Sequence, residues 1–147
     1  MKKIVLGLLL LIVPLFINAN DLIIKTTPFG VNQTISKIEN ALKKYKGINI
    51  FTIIDHQAGA KKAGLKLNEE KVIIFGNPKL GTLLMLKDPK AGLDLPLKIL
   101  VYKDNNQKTK IVYRDPQKWK KGFDLEGCKL INKMVKVLNE VTIEVSK

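Results

Sequence analysis

The sequence predicts an α+β domain with a mainly antiparallel sheet and helices packed on one face. Two long segments carry apolar residues at steps of three and four, which is typical of amphipathic helices. Short β-branched runs lie between them, and the turn Asp104-Asn105-Asn106 is a hairpin signal because these residues tolerate a positive φ. The predicted order is β-α-β-β-α-β-β-α. A chain of 147 residues with 46% hydrophobic residues has room for one such domain.

The first 19 residues have the pattern of a secretory signal peptide. Lys2 and Lys3 form a positive start, and an apolar stretch follows at 4–17. This stretch is too short to cross a bilayer of about 30 Å comfortably. We therefore expect cleavage after Ala19, a single mature domain at 20–147, and a periplasmic or otherwise exported protein. An uncleaved N-terminal anchor is the alternative.

The first half of the mature chain begins with a predicted strand at 21–27. A helix is predicted over 31–46, because its apolar residues fall on one helical face and Gly47 follows. Residues 48–54 are apolar and β-branched without alternation, which predicts a strand buried on both faces. A short helical turn is expected over 57–63.

The middle of the chain predicts a strand at 71–75 followed by a helix at 79–87. Asn77 is a good N-cap, and Pro78 suits the first helical position because its missing N–H would have had no partner there. The helix carries leucines almost all round, which predicts burial in the core, with contact to a second copy as the alternative.

The last third predicts two hairpin strands, 96–103 and 107–114, and then a long terminal helix from about 125 to 144. Apolar residues in this helix recur at spacings of three and four. Cys128 lies on that stripe, so we expect a buried free thiol rather than an intersubunit disulfide.

Composition excludes several classes of site. The formal net charge is +13, yet every basic residue except Arg114 is a lysine. Because arginine is the residue suited to bidentate phosphate contacts, this balance argues against nucleic acid as a partner. We expect the protein to contact a membrane only through its signal peptide or through weak electrostatic attraction to the surface. One Cys and one His exclude a disulfide framework, a Cys-based zinc cage and a multi-His metal centre.

Three phrases carry a family resemblance: Asp55-His56, FGNPKLGTLLM at 75–85, and DLPLKILVY at 94–102. With them the sequence resembles the domain-of-unknown-function 302 family over roughly residues 22–120. The resemblance implies a compact α+β domain with an antiparallel sheet, often a dimer, and supplies no established activity, catalytic residues or cofactor. One departure is Glu69-Glu70, where such sequences usually have a Pro-Thr-like pair.

The turn from strand 71–75 into helix 79–87 is the clearest candidate site. A helix amino terminus favours anions, and Asn77, Lys79 and Thr82 add an amide, a charge and a hydroxyl there. Gly81 costs about 1 kcal/mol relative to Ala inside a helix, so its presence needs an explanation. Either a ligand approaches the backbone or a neighbouring element packs tightly against it.

His56 is the second candidate. It follows Asp55 at a strand end, and neighbouring strand side chains point to opposite faces, so these two cannot readily form a dyad. Asp94 is a candidate partner. The alternative is structural, with Asp55 capping the next helical turn. A shared ligand site requires His56, Asn77, Lys79, Gly81, Thr82 and Asp94 to line one cavity.

The function that these patterns favour is an exported binding or interaction module for a small, anionic or partly apolar ligand. One alternative is an enzyme that uses His56 as general acid/base. Another is a structural or assembly partner that forms a homodimer through the 79–87 helix. The sequence identifies no cofactor and no metal site.

Overall fold

The computed structural model describes residues 21–147, apart from the side chains of residues 120 and 121. The predicted signal peptide lies outside the described residues. Within them the strands are β1 Leu22–Thr27, β2 Asn49–Asp55, β3 Glu70–Gly76, β4 Leu97–Lys103 and β5 Thr109–Arg114. The α-helices are α1 Val31–Leu42, α2 His56–Lys62, α3 Pro78–Lys87 and α4 Lys129–Glu144. Short 3-10 helices, which the sequence did not predict, lie at Pro89–Leu93 and Pro116–Lys121.

The strands form one sheet in the order β1-β5-β4-β3-β2, and every neighbouring pair is antiparallel. The predicted α+β class and the predicted order of elements are confirmed. β1 and β2 are the two edges, and β4 is the central strand.

The core lies between one face of the sheet and the helices α1 and α4. The sheet contributes side chains that are fully buried, namely Ile73, Phe75, Ile99, Val101 and Ile111. Helix α1 buries Ile38 and Leu42 against them, and α4 buries Ile131 and Leu138. Burying each such side chain stabilises the fold by about 1.5–3 kcal/mol. Along residues 21–147, no helix combines the length and the apolar character that crossing a membrane requires.

Two helix boundaries differ from the prediction. Helix α1 ends at Leu42, and the chain turns through residues 43–46 to Gly47, which has a φ of +82°. Helix α4 begins at Lys129 because Gly127 has a φ of +67°, outside the helical range. Cys128 is buried as predicted, but it occupies the N-cap position ahead of the helix.

The prediction that β2 is buried on both faces is wrong. It is an edge strand, with Phe51 49% and Ile54 43% exposed. The register shifts between Ile50 and Thr52, and this bulge places one extra residue in β2. A bulge interrupts the alternation of side chains between the two faces of a strand, so apolar residues follow one another in β2 as they do in a strand that is buried on both faces.

The expectation that helix α3 is buried is also wrong in part. Leu84 is its one fully buried side chain, whereas Leu83 and Leu86 are exposed, Leu86 by 76%. The helix lies beyond the end of the sheet and follows directly from β3, so only one of its sides reaches the core.

The hairpin prediction is confirmed. Asp104 Oδ1 accepts hydrogen bonds from the backbone N–H groups of Asn106 and Lys108, each at 2.9 Å, and Gln107 has a φ of +61°. The bond from Lys108 is the largest cause of a lowered pKa of the Asp104 carboxyl.

Candidate functional site

A cavity of about 540 Å³ opens between α4, α3 and the adjoining ends of β2, β3 and β4. Its lining is mainly apolar, and the buried side chains of Phe75, Leu97 and Met134 form what we call its floor. The walls add further apolar side chains, namely Ile48, Phe51, Leu80, Met85, Leu95, Pro96 and Val137. The volume and the apolar lining are those of a small-molecule pocket.

One wall is the turn that the sequence singled out. Asn77 Oδ1 accepts a hydrogen bond from the Leu80 N–H at 3.2 Å, which confirms Asn77 as the N-cap of α3. The other side of the amide rests against Gly47, where an added Cβ would lie 2.8 Å from Asn77 Nδ2. The Asn77 side chain is therefore fixed by its structural contacts and borders the cavity at the same time.

Gly81 and Thr82 continue this wall. A Cβ added at Gly81 would lie 3.8 Å from Leu95 Cδ1, an ordinary van der Waals contact, and nothing is closer. Tight packing therefore does not explain the glycine. Its missing side chain leaves space that belongs to the cavity.

The opposite wall comes from α4 and was missed by the sequence reasoning. It presents Lys133, Lys136 and Glu140 at the mouth, on the same helical face as the buried Met134. Charged residues that flank an apolar stripe are usually read as a solvated helix face, so no signal in the sequence marked these residues as a site.

Tyr45 also lines the cavity and donates a hydrogen bond from its hydroxyl to Glu140 Oε2 at 2.7 Å. Burial, followed by this bond and the charges of Glu140 and Glu144, raises the pKa of Tyr45 to about 12. The phenol therefore remains a donor at neutral pH. Lys136 Nζ lies 3.8 Å from Glu140 Oε1, so the Glu140 carboxylate is partnered from two sides.

The mouth of the cavity is basic. Lys46, Lys133 and Lys136 bring three exposed ammonium groups to it, against the single carboxylate of Glu140. Among the described residues, Lys46 and Lys133 make no ion pair, so both are available to an incoming anion. The cavity therefore combines an apolar interior with a positively charged entrance.

His56 does not belong to this cavity. In the β2–β3 pairing, Asn49 lies opposite Gly76, whereas Asp55 lies opposite Lys71. Seven residues of strand therefore separate His56 from Asn77, a distance of about 20 Å along the sheet at 3.3 Å per residue. The expectation that His56 and the Gly-Asn-Pro turn line one pocket is wrong, because β2 runs antiparallel to β3.

Two other predicted site residues also lie outside the cavity lining. Lys79 is exposed near the start of α3, and Asp94 ends the 3-10 helix Pro89–Leu93, while its neighbour Leu95 reaches the cavity. Asp94 precedes β4, whose first residues pair with the Phe75 end of β3, so it lies far from His56. The structure therefore places Asn77, Gly81 and Thr82 in one cavity wall, Lys79 and Asp94 next to residues that line it, and His56 at the other end of the sheet.

At the other end of the sheet, Asp55 has the structural role given as the alternative. Its Oδ1 accepts the Ala58 N–H at 2.8 Å as the N-cap of α2, and its Oδ2 lies 3.0 Å from Lys71 Nζ. The hydrogen bond from Ala58, and then that from Lys71, lower the pKa of Asp55. His56 is exposed and has no hydrogen bond to its imidazole within residues 21–147. In the same residues, no cluster of three or more His, Cys, Asp or Glu side chains is placed to hold a metal.

Comparisons with known proteins give relatives of two kinds. A solved structure described as an uncharacterized conserved protein DUF302 from Bacillus stearothermophilus shares the fold, with a TM-score of 0.76 and 21% sequence identity. The match covers 86% of this chain and 99% of that one. Proteins called fluoride-specific ion channel FluC 1, from Brucella suis biovar 1 (strain 1330) and Brucella abortus biovar 1 (strain 9-941), are each 45% identical to it over 87 residues.

These Brucella matches cover 59% of this chain but only 34% and 32% of the two proteins, so the chain spans about a third of their length. The family described as domain of unknown function DUF302 matches residues 23–141. This range contains β1 without its first residue, the other four strands in full, and most of α4. This match confirms the resemblance seen in the sequence, and the chain belongs to the DUF302 family.

Proposed function

We propose that this protein is an exported binding module for a small amphipathic anion. The apolar part of the ligand lies on the floor formed by Phe75, Leu97 and Met134, and its anionic group faces the lysines at the mouth. The observation that carries the proposal is the cavity of about 540 Å³ with an apolar interior and a basic entrance.

The two parts of the cavity contribute differently to binding. Removing apolar ligand surface from water contributes about 25 cal/mol per Å², so the interior supplies most of the affinity. Exposed charge pairs contribute only about 0.2–1 kcal/mol each, and salt screens them. Lys46, Lys133 and Lys136 therefore orient the ligand and select its charge, while Thr82 offers a hydroxyl on the wall.

Calorimetric titration with decanoate, and with decanol as an uncharged molecule of equal chain length, tests the proposal. We expect decanoate to bind more tightly, with an advantage that shrinks between low and high salt. The double variant Lys133→Gln/Lys136→Gln should remove most of this advantage and leave decanol binding unchanged. Equal affinities of the two compounds at every salt concentration would contradict a charge-selective mouth.

The apolar part is tested with Gly81→Leu, which places a side chain in the cavity. The matched control is Gly59→Leu, because Gly59 is the fourth residue of α2 as Gly81 is of α3, and an added Cβ there has nothing within 4 Å. We expect Gly81→Leu to abolish decanoate binding and Gly59→Leu to retain it. Retained binding in a folded Gly81→Leu protein would show that the ligand lies elsewhere.

A second candidate function comes from the relatives named as fluoride-specific channels, to which 87 residues of this chain are 45% identical. On this proposal the domain serves an anion-handling membrane protein as an auxiliary part and binds fluoride itself. Titration with sodium fluoride, with sodium chloride as the control, separates the two candidates. A thermal shift with fluoride alone, and none with decanoate, favours the second.

The enzyme alternative has little support from the geometry. A general acid/base needs a partner and a substrate surface nearby, whereas His56 is exposed and lies five residues along β2 from Phe51, the cavity residue on that strand, a distance of about 16 Å. Asp55 already caps α2 and pairs with Lys71. His56→Gln is therefore expected to leave decanoate binding unchanged.

A further inference from the structure

The outward side of α3 and the 3-10 helix that follows it carry the most exposed apolar side chains of the described chain. Leu93 is 82% and Leu86 76% exposed, and no other large apolar side chain in residues 21–147 exceeds 68%. Successive helical residues lie about 100° apart around the axis, so Leu86 is on the side of α3 opposite the buried Leu84. Lys79 and the exposed Leu83 fall beside Leu86 on that side.

The 3-10 helix Pro89–Leu93 packs against α3 and continues this surface. A Cβ added at Gly92 would lie only 3.3 Å from Met85 Sδ, so the two helices are in close contact there. Leu93 and Leu86 are the chain neighbours of this contacting pair and therefore belong to one region of the surface. Its exposed leucines and lysines form what we call the leucine–lysine patch: Leu83, Leu86, Leu93, Lys79, Lys87 and Lys90.

The patch is positively charged. Lys79, Lys87 and Lys90 are all exposed, and the first two make no ion pair within the described part of the chain. The carboxylate of Asp88 is buried and lies 3.4 Å from Lys90 Nζ, and Asp94 is half-buried at the end of the segment. The surface therefore presents ammonium groups around protruding leucines, with little exposed negative charge.

This composition suits an anionic bilayer better than a protein partner. Protein interfaces are depleted in lysine and use aromatic residues and arginine as anchors, and the patch contains neither of these. A lysine at a bilayer surface extends its ammonium group to the lipid phosphates while its methylene stem lies beside apolar neighbours. The leucines of the patch also protrude and line no part of the cavity, which suits insertion between headgroups.

We infer that the leucine–lysine patch docks this protein on the surface of an anionic lipid bilayer. Leu86 and Leu93 insert between the headgroups, and Lys79 and Lys87 face the lipid phosphates. This goes beyond the weak attraction that composition predicts, because it assigns the contact to one surface and adds an apolar contribution. The patch shares no residue with the cavity lining, so the docking does not depend on the proposed function.

Co-sedimentation with vesicles of phosphatidylglycerol and phosphatidylcholine, compared with phosphatidylcholine alone, measures the docking. The protein carries the N-terminus that it has in its own cells, identified by mass spectrometry, and all variants share it. We expect binding to the mixed vesicles that weakens with salt. Leu86→Ser and Leu93→Ser should each weaken it by about tenfold, because each removes an apolar side chain that leaves water on docking.

Leu65→Ser is the matched control for these variants. Leu65 is 68% exposed and lies before β3, whereas α3 follows β3, so the two positions are at opposite ends of the sheet. We expect Leu65→Ser to bind like the wild type. Folded Leu86→Ser and Leu93→Ser proteins that bind as tightly as Leu65→Ser would overturn the inference.

The lysines are tested with Lys79→Gln/Lys87→Gln. The control is Lys61→Gln/Lys62→Gln in the last turn of α2, which removes the same net charge from another exposed surface. A lysine near an anionic bilayer contributes about fivefold to binding, so the patch variant should bind about 25-fold more weakly and the control much like the wild type. Equal weakening of the two double variants would show that net charge alone attracts the protein and would overturn the assignment.

A fluorescent label locates the contact without relying on affinity. In Cys128→Ser/Leu86→Cys, serine replaces the buried native thiol as another N-cap residue, and the new exposed thiol takes an environment-sensitive dye. We expect a blue shift and brighter emission on adding the mixed vesicles, and no change for the same dye in Cys128→Ser/Leu65→Cys. A change at residue 65 alone would overturn the inference. A signal at residue 86 that follows protein concentration and not lipid would do the same, because it would assign the patch to a second copy.

Discussion

Replacing Gly81 with alanine separates stability from binding at the cavity wall. Gly81 lies inside α3, where glycine costs about 1 kcal/mol relative to alanine. The added methyl would meet only Leu95 Cδ1 at 3.8 Å, so it fits without displacing any neighbour. We therefore expect Gly81→Ala to stabilise the fold by about 1 kcal/mol while removing space from the cavity.

For a domain of about this size, 1 kcal/mol corresponds to a rise in Tm of about 3–5 °C. Urea unfolding should show the same gain as a higher midpoint with an unchanged slope, because the exposed surface on unfolding hardly changes. Gly59→Ala is the matched control at the same position of α2, and an added Cβ there has nothing within 4 Å. It should give a similar gain in stability.

The two variants should differ only in ligand binding. Gly81→Ala is expected to weaken decanoate binding, because its methyl enters the cavity, and Gly59→Ala is expected to leave it unchanged. A destabilised Gly81→Ala protein would show that the space beside Leu95 is not open. A stabilised Gly81→Ala with unaltered decanoate affinity would show that the ligand does not reach this wall.

Three further changes test other parts of the structure. Gly47→Ala should lower the Tm more than a substitution at an exposed position does. Gly47 has a φ of +82°, and an added Cβ would lie 2.8 Å from Asn77 Nδ2. A Tm equal to that of the wild type would contradict the contact. Asp88 is buried, and a hydrogen bond from the Asp124 N–H is the largest cause of its lowered pKa. That stabilisation is present above the unfolded pKa of about 3.9 and is lost as the pH falls through the lower folded value. The urea midpoints of wild type and Asp88→Asn should therefore differ at pH 7, and the gap should narrow as the pH falls below about 3.9. A gap that stays constant down to acid pH would refute this. Tyr45→Phe should lower the free energy of unfolding by about 0.5–1.5 kcal/mol, because it removes the hydrogen bond to Glu140. The same variant should lose the phenol whose pKa is raised to about 12, which ultraviolet absorbance detects. An unchanged titration would contradict the assignment.

Local signals in the sequence predicted the fold well. Asn77-Pro78 begins α3, Asp104 organises the hairpin, and the periodic apolar residues of α1 and α4 mark their buried faces. Each of these features depends on residues only a few positions apart, so propensity, capping and periodicity are sufficient to find them.

The parts that failed depend on contacts between distant segments. The strand β2 is an edge strand with a bulge, and a run of consecutive apolar residues in the sequence indicates neither property. The antiparallel pairing of β2 with β3 decides that His56 and Asn77 lie at opposite ends, and pairing is a tertiary property. The α4 wall with Lys133 and Lys136 joins the site only when the folded chain places α4 across the cavity from α3.

Native mass spectrometry of the protein purified from its own cells tests the binding proposal most directly. We predict a non-covalent adduct with the mass of a small organic anion, present in wild type and Gly59→Leu and absent from folded Gly81→Leu. An adduct-free wild-type protein that also shows no thermal shift with decanoate would contradict the proposal that this cavity holds an amphipathic anion.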